Sequence, residues 1–230
     1  MHVVFPFLPS LYTSGVMIER NEIPRPTVKR LSLYLREVER LIEAGSLTIS
    51  SRKLGEKLDI AATQVRKDLG HFGQIGRSGI GYHAVNLVST LREVLGLNHN
   101  WRAIVVGAGN IGRALLAYPQ FSQRGFHILA AFDEDESVTG EVLDGIPVHP
   151  METLEDYISS EDIQLALVAV PDSAAQSVAE RLVAAGVHGI LNFAPIRLHL
   201  DAAVVSVDLS RSMETLAFQV AHGAREDSEG

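Results

Sequence analysis

The sequence predicts an α/β fold in two domains, the first helical and the second a parallel sheet covered by helices, and three observations carry that reading. From about residue 100 onward, apolar β-branched stretches alternate with helical ones, the pattern of a parallel sheet with both faces covered. Residues 105–113, VVGAGNIGR, place G-x-G-x-x-G between a strand and a helix. Charge is also split along the chain. The net charge is -8, yet residues 24–85 hold 11 Lys and Arg against 6 Asp and Glu, and all four lysines, Lys29, Lys53, Lys57 and Lys67, lie there. With 230 residues, 46% of them hydrophobic, there is enough apolar material for two modest cores.

Composition removes several classes of function. There are no cysteines, which excludes disulfides, thiolate metal sites and cysteine catalysis and makes a reducing cytoplasm the expected compartment. No apolar run approaches the roughly 20 residues of a membrane span, and MHVVFPFLPSLYTSGV lacks a basic n-region and is broken by Pro6 and Pro9. Nine histidines are scattered without metal-ligand spacing, and the motifs of nucleophile elbows, P-loops and zincins do not occur. No membrane, no metal and no catalytic residue are therefore expected. The basic front segment has two readings: a domain that meets a polyanion, or a solvated basic face.

Residues 1–23 show no periodicity, and Pro24 and Pro26 set them apart as either a disordered extension or a segment ahead of a biological start at Met17. From Thr27, Leu31, Leu35, Val38, Leu41 and Ile42 recur at helical spacing until Gly45. SSRKLGEKLDIAATQVRKDLGHFG then breaks into two short helices. Ser50 or Ser51 caps the first, whose Leu54 and Leu58 face inward, and Val65, Leu69 and Phe72 form the inner face of the second. Such a pair reads as a helix-turn-helix, or as an ordinary bundle with a charged rim. Its outer positions carry Ser51, Lys53, Gln64, Arg66, Lys67 and His71, where Arg and Lys suit phosphates and guanine and Gln suits adenine. The glycine-dense GQIGRSGIGYHAV follows and predicts a small hairpin wing with Arg77 near its tip and Tyr82 at its end. These parts make residues 24–85 a winged helix-turn-helix domain, and residues 86–99 a connector helix.

Residues 100–207 read as a Rossmann-type domain. In the turn Gly107, Ala108, Gly109, Asn110, Ile111, Gly112, the first glycine permits the tight turn. The second lets a pyrophosphate approach the backbone, and the third lets helix pack on strand. FHILAAFD ends at Asp133, about 20 residues on, where a carboxylate takes the ribose 2'-hydroxyl of NAD. Glu134, Asp135 and Glu136 follow without an Arg, which favours NADH and NAD+ over their 2'-phosphorylated forms. Pro171 and the run Asn192-Phe193-Ala194-Pro195 fall at strand C-terminal ends, where ligands of such sheets bind; Phe193 either borders a nicotinamide or packs in the core. In residues 208–230 a last helix carries Met213, Leu216, Ala217, Phe218 and Val220, an apolar set suited to docking on a second subunit, before an acidic tail.

QVRKDLGHFG followed by GIGY, VVGAGNIGRALLAYPQF, GILNFAP and VDLSRSMETLAF, in that order, resemble the Rex family of redox-sensing transcriptional repressors over residues 24–222. The resemblance implies a homodimer that binds an inverted-repeat double-stranded DNA operator, with the C-terminal helix swapped between subunits. It implies that NADH lowers operator affinity while NAD+ competes without releasing DNA, and that the regulated genes serve respiration and fermentation. It also assigns a switch to Tyr118 and Asp208, which sense the cofactor state, and to Arg36, which pairs with the aspartate. One departure stands out: where family wings place a basic residue before the third glycine, this chain has Ser78, preceded by Arg77. Two other classes remain open, an enzyme or CoA-binding module, to which the sheet pattern is also similar, and a scaffold or dimerisation protein.

Overall fold

The computed structural model describes residues 12–13, 16–17, 23–77 and 79–223 of the chain. Ser78 and most of residues 1–22 lie outside the described residues, and with them the readings made for the extension and for Ser78. The chain divides into two compact units between His99 and Asn100.

The first unit begins with β1 (Tyr12–Thr13), paired antiparallel to β2 (Val16–Met17). Then come α1 (Arg25–Glu43), β3 (Thr48–Ile49), α2 (Ser51–Leu58), α3 (Ala62–Gly70), β4 (Gly76–Arg77), β5 (Gly81–His83) and α4 (Ala84–Val94). Proline in its first turn starts α1 at no hydrogen-bonding loss, and the stripe Leu31, Tyr34, Leu35, Val38 and Leu41 is buried. Ser50 is the residue that caps α2, its Oγ accepting the backbone N–H of Lys53 at 3.1 Å. Leu54, Val65, Leu69 and Phe72 complete the core between the short helices. The wing is a three-stranded antiparallel sheet in the order β3-β5-β4. Its tightest point is Gly81, at φ +94, where a Cβ would stand 2.5 Å from the Ile49 carbonyl oxygen. The helix expected as a connector over residues 86–99 is α4, and it is a member of this core: Leu87 and Leu91 are buried with the α1 stripe.

One polar cluster ties α3 to α1. Asp68 is 1% exposed and accepts from Arg30 Nε at 2.6 Å, Arg30 Nη2 at 2.7 Å, Tyr34 Oη at 2.7 Å, Thr27 Oγ1 at 3.2 Å and Gln64 Nε2 at 2.8 Å. Burial alone would push this carboxyl up, but the bonds from Arg30, Tyr34 and Gln64 outweigh it and hold the group down at about 2. Burial and the neighbouring carboxylate push the Tyr34 phenol up in turn.

The second unit is a doubly wound sheet. Its elements are β6 (Trp101–Val106), α5 (Asn110–Leu116), α6 (Gln120–Gln123), β7 (Phe126–Asp133), β8 (Val142–Leu143) and β9 (Ile146–Pro150), then a 3-10 turn at Met151–Thr153 leading into α7 (Leu154–Ser160). After these follow β10 (Leu165–Val168), α8 (Asp172–Ala184), β11 (Gly189–Asn192), β12 (Ala203–Ser206) and α9 (Leu209–His222). Strand order is β12-β11-β10-β6-β7-β9-β8, all parallel except β8 against β9. The order reverses at β6, so the crevice between β6 and β10 is the topological switch point.

One sheet face is sealed by α7 and α8, with Ile104, Val106, Ala130 and Phe132 packed against Leu154, Ile158, Ala175, Ala179 and Leu182. The other face departs from the expectation of full cover. Leu116 of α5 packs over Ala103, Val105 and Ala131, but Val205 on β12 is 63% exposed. Every residue of α9 is exposed, including Leu209, Met213, Leu216, Phe218 and Val220.

Asp68→Ala is expected to destabilise the first unit by about 3 kcal/mol, because it strands the Arg30 guanidinium and the buried Tyr34 hydroxyl. Urea unfolding followed by circular dichroism measures this. The folded carboxyl is depressed to about 2, so its stabilisation is complete above pH about 4 and is lost as pH falls toward about 2. The gap between wild type and variant should shrink across that window, and a gap that persists to its acid end would refute the assignment.

Candidate nucleic-acid interface and dinucleotide turn

The first unit carries a concave basic surface where α2, α3 and the wing meet. A cleft of about 550 Å³ is lined by Ser50 and Ser51 from the start of α2, Arg66 and Gly70 from α3, and the wing around Arg77 and Tyr82. Among the described residues that line it there is no Asp or Glu. The Arg66 Nη1 donates to Ser51 Oγ at 3.0 Å, which fixes the guanidinium across the cleft. Tyr82 is half-buried, and burial pushes its phenol up against the opposing pull of Arg66. The structure thus brings Ser51, Arg66, Arg77 and Tyr82 around one cavity. Lys53 on α2, and Lys67 and His71 at the end of α3, are exposed. Gln64 is half-buried, and its Nε2 donates to Asp68 Oδ1 at 2.8 Å.

In the second unit the glycine turn follows β6 at the switch point. Gly107 has φ +97, and a Cβ there would lie 2.5 Å from the Ala169 carbonyl oxygen beyond β10. A Cβ on Gly112 would run into the Gly107 carbonyl oxygen, so α5 sits against the turn with nothing between. At Gly109 a Cβ would meet no atom within 4 Å. Packing within the chain therefore explains glycine at 107 and 112 but not at 109, which faces open space, as a position approached by a pyrophosphate does.

Side chains hold this turn at both ends of one residue. Asp133 Oδ2 accepts the Ala108 N–H at 2.6 Å, and Arg113 Nε donates to the Ala108 carbonyl at 3.1 Å. The other oxygen of Asp133 accepts the Asp135 N–H at 2.9 Å. Asn110 and Ile111 are exposed in the first turn of α5, and Glu134, Asp135 and Glu136 are exposed beyond β7. Pro171 follows β10 and caps α8, and the Phe193 N–H bonds the Val168 carbonyl at 2.9 Å, so both lie at strand C-terminal ends. Buried Asn192, the last residue of β11, holds the Phe193 loop. Its Nδ2 donates to the Ala194 and Ile196 carbonyls at 3.1 and 3.0 Å, and its Oδ1 accepts the Ala194 N–H at 3.0 Å. The donor set and the bare Gly109 fit a dinucleotide.

The three switch residues lie on different elements. Arg36 is exposed on α1 in the first unit. Tyr118 lies past α5, exposed, with its ring edge-on to Phe121 at 5.1 Å and its hydroxyl donating to Gln120 Oε1 at 2.9 Å. Asp208 caps α9, its Oδ1 accepting the Arg211 N–H at 2.9 Å. Among the described residues no group of three His, Cys, Asp or Glu is placed to hold a metal, and no helix is long and apolar enough to cross a membrane.

Comparison with known proteins covers both units. Residues 98–196 match the family model described as "CoA binding domain", and residues 22–70 match "Putative DNA-binding protein N-terminus". The redox-sensing transcriptional repressor Rex 1 of Thermotoga maritima is 40% identical over 201 residues, covering 87% of this chain and 97% of that protein. Rex of Carboxydothermus hydrogenoformans is 42% identical, covering 86% and 97%. Among solved structures, RSP in complex with β-NAD+ and operator DNA aligns with a TM-score of 0.85 at 35% identity, over 87% of this chain and 94% of that one. RSP in complex with β-NADH aligns with a TM-score of 0.80 at 34% identity, over 88% and 96%.

The glycines separate fold from ligand. Gly112→Ala should lower the melting temperature by roughly 5 °C or more, because the methyl displaces α5 from β6. Gly109→Ala should leave it within about 2 °C and weaken NADH binding roughly tenfold or more. Calorimetry and NADH fluorescence titration measure the two effects, and equal behaviour of the two variants would contradict the division.

Proposed function

The chain belongs to the Rex family of redox-sensing transcriptional repressors, and from that premise we propose that it binds an operator through its first unit and is released when NADH occupies its second. The observation that carries this reading is the coexistence on one chain of a carboxylate-free basic cleft and a glycine turn left bare at Gly109. Its relatives are transcriptional repressors rather than enzymes.

On the DNA side, Ser51, Lys53, Arg66 and Lys67 bond phosphates, Gln64 and His71 face base edges, and the wing carries Arg77 and Tyr82 to the minor groove. On the nucleotide side, residues 107–112 cradle the pyrophosphate. Each oxygen of Asp133 keeps a lone pair beyond its backbone bond, enough to accept from the ribose hydroxyls. The acidic run Glu134, Asp135, Glu136 repels a 2'-phosphate, so NADH and NAD+ are the ligands and NADPH is excluded. Pro171 and Phe193 border the nicotinamide. The exposed apolar side chains of α9 and the open sheet face at Val205 call for a second copy, so a swapped α9 completes a homodimer suited to an inverted repeat.

A ligand shifts an equilibrium only through its different affinity for the two states. Arg36, Tyr118 and Asp208 supply that difference: an Arg-Asp pair formed in one domain arrangement and broken in the other makes NADH binding and DNA binding exclusive. The chain then reports the NADH/NAD+ ratio to genes of respiration and fermentation, as a soluble cytoplasmic protein. The match to a CoA binding domain favours one second reading, a CoA ligand in the same turn.

Fluorescence anisotropy of a labelled inverted-repeat duplex, titrated with NADH, NAD+, NADPH and CoA at fixed salt, tests both. NADH should release the duplex while equal NAD+ and NADPH do not. Release by CoA alone would favour the second reading, and no release by any nucleotide would contradict the redox sensor.

A further inference from the structure

α3 is fixed to its domain by a charge as well as by apolar packing. Four groups on α1, contributed by Thr27, Arg30 and Tyr34, converge on Asp68, and the fifth donor, Gln64, stands one turn earlier on α3 itself. The carboxyl is 1% exposed and held at about 2, so at any physiological pH it is ionised and accepts hydrogen bonds only.

An acceptor-only partner decides which way the Gln64 amide is turned. The oxygen and nitrogen of an amide are nearly alike in shape and are assigned by their partners. Facing a carboxylate, only the NH2 end forms a bond, at 2.8 Å, and Oε1 is the end left over. Gln64 lies in the N-terminal half of α3, the half of a recognition helix whose side chains meet base edges. In the major groove adenine and cytosine present an exocyclic amino group, whereas guanine and thymine present a carbonyl oxygen there. A fixed acceptor bonds the first pair and is repelled by the second; an amide free to flip distinguishes them poorly.

We propose that Asp68 is a positioning residue for base specificity: by anchoring α3 to α1 and holding Gln64 Nε2, it presents Gln64 Oε1 to the amino group of an adenine or cytosine in the major groove. This rests on the DNA-binding reading above. Asp68 itself touches no base, and a fully buried carboxylate of this kind stabilises one orientation of the helix rather than adding affinity.

The test selects sites for the full chain from a library of randomised duplexes, then places each of the four bases in turn at every position of the selected site. The wild-type chain should show a position where adenine or cytosine is preferred over guanine and thymine by roughly 5- to 100-fold. Gln64→Ala should flatten that position alone. Asp68→Asn, which can turn a donor toward Gln64, should lose the amino-versus-carbonyl preference at the same position, and Asp68→Asn combined with Gln64→Ala should add nothing there to Gln64→Ala. Tyr34→Phe removes a different donor from Asp68, so it should lower the melting temperature and leave the base profile unchanged. An unchanged profile for Gln64→Ala, or a loss in Asp68→Asn that is equal for selected and unrelated duplexes, overturns the proposal. Should Asp68→Asn fail to fold, Gln64→Ala and Gln64→Met at their half-exposed site decide it alone. A wild-type chain that selects no duplex overturns the DNA-binding reading and this proposal with it.

Discussion

The close packing of Gly112 on the Gly107 carbonyl, which leaves no room for a Cβ, sets the geometry of the turn after β6. With no side chain between them, α5 begins directly at the end of β6. Ala108 is then near enough for Asp133 to take its N–H and Arg113 its carbonyl. Gly107 has no more freedom, pressed against Ala169 at a positive φ. The chain closes this turn on itself from several sides and leaves Gly109 bare. Gly107 and Gly112 are committed to the fold, while Gly109 and the exposed Asn110 and Ile111 beside it are left open.

The first unit solves a different problem. A helix-turn-helix must hold a short helix at a fixed pitch with little apolar area, and α3 buries only Val65 and Leu69 of its own hydrophobic side chains. The ionised Asp68 supplies directionality that apolar contacts lack, since its partners on α1 must meet it in a definite geometry. Burying such a charge is costly unless every lone pair is met, and here five hydrogen bonds meet them. The acid is thereby removed from the surface, and the adjoining cleft keeps its positive character.

Local pattern made much of this legible. The spacing of Leu31, Leu35, Val38 and Leu41 announces α1, and the glycine turn with its flanking strand and helix announces the doubly wound sheet. What stayed hidden depends on distant partners. Gln64 and Asp68 stand at i and i+4, but only Arg30 and Tyr34, more than thirty residues away, show that this pair faces inward. The β8–β9 hairpin is marked in the sequence only by the Asp144-Gly145 turn, at φ 51 and 83. α4 has the same periodicity whether it links domains or joins a core, so its place follows only from Leu87 and Leu91. The sequence places Asn192 at a strand end, but its bonds to the backbone of the loop it shapes and to Ser206 Oγ leave no local signature.

Two sites on one chain become a sensor only if their occupancies are linked, and linkage is reciprocal. The most direct test is the affinity for NADH, by fluorescence titration, measured with and without a saturating operator duplex under identical salt. The duplex should weaken NADH binding by the same factor by which NADH weakens duplex binding. Equal NADH affinity in the two conditions would contradict it.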